Sequence, residues 1–137
     1  MRIHFQAHRI LLMVLMATAG CQKLSNPVLV DETISVPSLE NKSKIIDGPK
    51  QDQKVSITAQ SSEGNFDLYV VFESDAKRVM DELSEPRPVT GNVLGKKTKT
   101  KDASLDVSIP AGKGFAVIVS NSGPKDVAVK LKVANVP

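Results

Sequence analysis

The sequence predicts an all-β fold over residues 53–137, mainly an antiparallel β-sandwich with one short helix. Three observations carry this. Beyond residue 53, apolar residues recur at every second position in five separate runs. Turns containing Gly or Pro divide most of these runs, and a single stretch departs from the two-residue period for helical spacing. At 137 residues, 41% hydrophobic and 24% charged, the composition is that of one globular domain. Ahead of it the sequence predicts an N-terminal signal peptide over 1–20 and a flexible tether over 21–52.

The first run, VSITA, places Val55, Ile57 and Ala59 on one face. In FDLYVVFE, Phe66, Leu68, Val70 and Phe72 share a core-facing side, with Asp67, Tyr69, Val71 and Glu73 opposite. Leu105, Val107 and Ile109 repeat the pattern, as do Phe115, Val117 and Val119, and then Val127, Val129, Leu131 and Val133. The turns are 61–65, 110–114 and 121–125. The last two are short enough for hairpins, so the final three strands are expected to form a meander.

DAKRVMDELSE, residues 75–85, places Ala76, Val79 or Met80, and Leu83 at helical spacing. Ser74 or Asp75 serves as the expected N-cap, and Pro86 stops the helix. The helix is expected to close one end of the sandwich. Its pairs Lys77 with Asp81 and Arg78 with Glu82 fall at i,i+4, as on a solvated face.

The first twenty residues have a different character. Arg2 and Arg9 precede an uncharged apolar run through Met16, the layout of a secretory signal and shorter than the roughly 20 residues that span a bilayer. Thr18-Ala19-Gly20-Cys21 follows. This stretch resembles the lipobox of bacterial lipoproteins, although Thr18 stands where that family usually has leucine. The resemblance implies cleavage between Gly20 and Cys21, lipidation of the Cys21 sulfur and acylation of its new amino group. It also implies a protein held in the cell membrane or outer membrane and facing the periplasm or the exterior. Gln22, in place of the Asp found in many lipoproteins retained at the inner membrane, favours the outer membrane by the same resemblance. The alternatives are a free Cys21 thiol after an ordinary signal, or an uncleaved hydrophobic helix. Cys21 is the only cysteine, so no disulfide forms within the chain.

Residues 22–53 contain three prolines and only short apolar clusters. Such a segment buries too little apolar area to offset its own chain entropy, hence the expected spacer; Val28 to Val36 is the one part able to add as a strand.

Removing residues 1–20 takes away both histidines, His4 and His8. All 15 acidic residues stay while Arg2 and Arg9 leave the 18 basic ones, so the formal charge falls from +3 to +1. That gives no electrostatic ground for nucleic-acid binding. Without histidine, a serine nucleophile lacks an imidazole base and a zinc site of His/Cys type cannot form. Ser-x-x-Lys occurs at Ser74 to Lys77 and at Ser122 to Lys125, similar to the nucleophile motif of penicillin-binding proteins, but without that family's companion motifs or size. An enzyme is not expected.

Two surface features bear on binding. Glu63, Asn65 and Asp67 alternate across a turn, an oxygen-rich set of the kind Ca²⁺ takes; the default is solvated turn residues. No other cofactor is implied. In GKKTKTKD, Lys96 is followed by Lys97, Lys99 and Lys101, of which the last three share one face if the segment is extended. They form either a patch for anionic partners or an edge strand whose lysines oppose aggregation, the latter being favoured.

FDLYVVFE followed by IPAGKGFAVIVSNSGPKDVAVKLKV resembles the bacterial pre-peptidase C-terminal domain, a small β-sandwich appended to exported proteins. Asp67-Leu68-Tyr69 and Gly114-Phe115 stand at matching places; the helical insert and the lack of a tyrosine in the last strand depart from that pattern. The resemblance implies an accessory binding or structural role. The expected function is therefore a non-catalytic, membrane-anchored envelope lipoprotein engaging another envelope protein or a glycan. The alternative is a cell-surface carbohydrate-binding module, for which Tyr69 is the one aromatic side chain off the core face.

Overall fold

A computed structural model describes residues 26–85 and 87–137. The signal segment, the Gly20–Cys21 junction and the first part of the expected tether lie outside the described residues. The remainder is a β-sandwich of two four-stranded sheets with one helix. Its elements are β1 (Val28–Val36), β2 (Asn41–Ile46), β3 (Gln53–Ser61), β4 (Phe66–Phe72), α1 (Glu73–Ser84), β5 (Gly95–Thr100), β6 (Asp102–Ile109), β7 (Phe115–Ser120) and β8 (Val127–Val136). One sheet has the order β1-β8-β3-β6, the other β2-β7-β4-β5, and every paired neighbour is antiparallel.

The two-residue period builds the space between the sheets. Val55, Ile57 and Ala59 meet Phe66, Leu68 and Val70, Phe115, Val117 and Val119, and Val127, Val129, Leu131 and Val133 in one buried cluster. Phe66 and Phe115 are its largest members, each 1% exposed and contributing about 2–3 kcal/mol by burial.

The chain enters this sandwich earlier than the composition implies. Val28–Val36 pairs with β8 along its length, and Asn41–Ile46 pairs with β7, so the expected tether over 21–52 does not extend past Val28. Val30, Val36 and Ile46 join the core. Both strands are sheet edges, where one side chain in two or fewer is buried, and so low an apolar content is indistinguishable from linker by composition. Glu32 and Lys44 pair at 3.1 Å across the gap between these two edges.

The final three strands do not form a meander. β6 and β8 belong to one sheet and β7 to the other, so the turns at 110–114 and 121–126 arch between sheets. The physical reason is that β7 is buried on both faces and takes a central place, while β8 alternates buried and exposed and occupies the centre of the opposite sheet.

The helix also lies elsewhere than expected. Tyr69, Val71, Ala116 and Ile118 make the outer face of the β2-β7-β4-β5 sheet apolar, and α1 covers it with Ala76 and Val79, flanked by Met80 and Leu83. It forms a third layer on a sheet face and not a plug at one end. Phe72, not Ser74 or Asp75, occupies the N-cap, with no side-chain cap bond. The return segment to β5 is pinned beside the helix: Glu82 accepts from the Thr90 N–H at 2.9 Å and the Thr90 hydroxyl at 2.7 Å, and Arg78 donates to the Thr90 carbonyl.

Register defines two poles. Val28, Ile46, Phe72, Ile109 and Val136 lie at the near pole, where the chain enters; Val36, Ser61, Phe66, Thr100 and Val127 lie at the far pole.

Candidate functional site

The far pole carries a cleft of about 410 Å³ between the β3–β4 turn, the β7–β8 arch and β5. Phe66 and Val127 form its floor, 1% and 3% exposed. Its rim carries Glu63, Asp67 and Asp126 against Lys99 and Lys125.

Buried Asn121 shapes the arch. Its side-chain amide donates to the carbonyls of Val36 at 3.1 Å, Pro37 at 3.2 Å and Lys125 at 2.7 Å, and its Oδ1 accepts from the Gly123 N–H at 2.9 Å. Ser38 adds two braces, donating its hydroxyl to the Gly123 carbonyl at 2.7 Å and its N–H to Asp126 Oδ1 at 2.9 Å. The sequence shows this arch only as a turn. Its one signal was an Asn two residues before a Gly, a pattern suited to a side chain capping nearby backbone.

Of the calcium set, Glu63, Asn65 and Asp67 all line the cleft, yet Asp67 Oδ1 is taken by the Lys99 N–H at 2.6 Å. Among the described residues no group of three or more His, Cys, Asp or Glu gathers as a metal site would. The geometry gives Asp67 a structural task, holding Lys99 in a left-handed conformation with φ of 52°.

That conformation breaks the expected lysine face. β5 is an edge strand, as the lysine pattern predicts, but Leu68 lies opposite Lys97 and Phe66 opposite Thr100, which leaves one extra residue on β5 as a bulge. Lys96 and Lys97 stay on the strand, Lys99 turns at the bulge beside the cleft, and Lys101 sits at the corner where the chain changes sheets. All four are exposed, and none is in an ion pair among the described residues.

Tyr69 is no sugar platform. It is 7% exposed beneath α1, and burial, with the nearby Asp67 carboxylate, raises its phenol above the ordinary value. Of the Ser-x-x-Lys spacings, the first puts Lys77 against Asp81 at 2.7 Å, and that hydrogen bond raises the ammonium's pKa, the reverse of what a lysine base requires. The second lies in the arch beside the cleft.

The architecture has solved counterparts. The fold is similar to that of a pre-peptidase C-terminal domain and of a bacterial mitogen. The pre-peptidase domain, from a Bacillus anthracis collagenase, matches with a TM-score of 0.52 and 11% identity, over 76% of this chain and 89% of that one. The Yersinia pseudotuberculosis-derived mitogen matches with a TM-score of 0.55 and 9% identity, over 80% and 86%. Such identities establish a shared fold. No protein-family profile and no curated protein matches the sequence. Among the described residues no helix is long and apolar enough to cross a membrane.

Proposed function

We propose that this chain is a lipid-anchored, non-catalytic lipoprotein of a bacterial envelope, whose β-sandwich binds or spaces another envelope component, protein or glycan. The observation that carries the reading is Thr18-Ala19-Gly20-Cys21 directly behind an uncharged apolar run, six residues before a folded sandwich begins. Acyl chains on Cys21 supply the membrane affinity, at about 0.8 kcal/mol per buried CH₂, and more than one chain makes the attachment durable. The far-pole cleft is the binding surface on this reading. Its apolar floor and rim of both charge signs suit a polypeptide better than a purely anionic polymer.

Metabolic labelling with a palmitate analogue, in wild type and Cys21→Ser, tests the anchor. Label incorporated by the wild type alone is the expected result; label persisting in the variant, together with membrane association, refutes lipidation at Cys21. Charge reversal at Lys99 and Lys125 tests the surface, by loss of crosslinked envelope partners from the intact protein.

A further inference from the structure

The corrected starting point of the fold shortens the link between Cys21 and the sandwich. Six residues separate Cys21 from Val28, a span of at most about 25 Å when fully extended. A link of that length keeps one pole of the domain beside whatever holds Cys21.

That pole is also where apolar side chains are exposed. Among the described residues the exposed large hydrophobics are Val28, Leu29, Ile45 and Leu39. Val28 and Leu29 open β1 at the near pole, and Ile45 is the penultimate residue of β2, opposite Ala116. Only Leu39 lies in a far-pole turn. The charges around the near-pole loops balance, Lys50, Lys54 and Lys113 against Asp47, Asp52 and Glu73, so no net charge opposes contact with lipid headgroups.

We infer that the near pole rests on the bilayer interface, with Val28 and Leu29 at headgroup depth and the far-pole cleft turned away from the membrane. This rests on the anchoring reading above and adds an orientation to it. The occupant of the near pole is lipid because the short link holds this apolar end at the surface in which Cys21 is embedded. Val28 and Leu29 contribute interfacial contact beyond the acyl chains, and the cleft is presented to partners at the opposite end.

The test uses the full-length lipidated protein with a single added cysteine, Gln51→Cys at the near pole or Ser62→Cys at the far pole, both exposed positions. Each carries a fluorophore and is reconstituted into phosphatidylcholine vesicles containing a headgroup-nitroxide lipid. Quenching at position 51 is expected to exceed that at 62 at least threefold. It is expected to fall when Val28→Ser and Leu29→Ser are added, with vesicle flotation unchanged. Equal quenching, or stronger quenching at 62, on protein that floats with the vesicles overturns the orientation and leaves the anchor standing. Quenching at 51 that falls as protein density rises marks a second copy on this pole and also overturns it. Protein that fails to float overturns anchor and orientation together.

Discussion

The side-chain amide of Asn121 donates to the main-chain carbonyl of Val36 at 3.1 Å, joining the β7–β8 arch to the end of β1 across 85 residues. Asn121 is 1% exposed, and this bond satisfies a buried carbonyl, while its companions to Pro37 and Lys125 are partly buried. Asn121→Ala strips those acceptors of their partner and is expected to cost about 1–3 kcal/mol, read as a lower urea midpoint with an unchanged slope. Asn121→Asp keeps the shape, loses the donors and buries a charge, so it is expected to cost more than the alanine variant.

At the near pole a glycine is required by space. A Cβ on Gly48 would lie 2.6 Å from Gly112 C and Lys113 N, backbone atoms that cannot swing aside. Gly48→Ala is expected to destabilise by about 1–3 kcal/mol, as overpacking does. Gly112 provides the control: nothing lies within 4 Å of its Cβ position, and only its φ of 72° penalises a side chain. Gly112→Ala is expected to cost about 1 kcal/mol, and thermal melts of the two variants separate steric from conformational strain.

How much of this was legible in the sequence depends on how deeply each strand is buried. Val55 to Ala59, Phe66 to Val70 and Val127 to Val133 sit in sheet interiors and alternate cleanly, so their faces follow from the residues alone. β1 and β2 are edges; NKSKII buries only Ile46, and Pro37 and Pro49, which look like linker punctuation, lie in the turns that follow each strand. The two-residue period puts Tyr69 and Val71 opposite the core face, where the structure has them, but local period does not say that a helix covers that face. The cleft was legible only in pieces. Glu63, Asn65 and Asp67 are neighbours in sequence, whereas Lys99 and the arch reach them through non-local strand order and a bulge, neither of which residue pattern encodes.

Tyr69 is the single tyrosine, and the chain has no tryptophan, so one optical signal reports directly on the docking of α1. Burial, and then the Asp67 carboxylate, raise its pKa above the ordinary 10.0. A raised folded-state value means that the neutral phenol is favoured in the native protein. Its contribution to stability is complete below the unfolded pKa and is lost as pH rises through the folded one. Absorbance titration at 295 nm is expected to show ionisation later in native protein than in urea. In Val79→Ala, which empties a fully buried site under α1, the native curve is expected to move toward the urea curve. Coincident native and urea curves in the wild type would show the helix undocked.

Acid acts on the other side of the same layer. Glu82 accepts two hydrogen bonds from Thr90 and pairs with Arg78 at 3.1 Å, and these, Thr90 first, lower its pKa below the ordinary carboxylate value. With a depressed folded-state value, its contribution is present above the unfolded pKa and fades as pH falls through the folded one. Protonation removes an acceptor from Thr90 and the charge opposite Arg78, so the segment returning from α1 to β5 is expected to loosen first. Hydrogen exchange at the Thr90 amide, followed from neutral pH to pH 3 and corrected for intrinsic rates, is expected to lose protection in the wild type. In Glu82→Gln it is expected to start lower and change little, because the variant has no group there to titrate. Equal acid sensitivity in both proteins would place the acid-labile contact elsewhere than at Glu82.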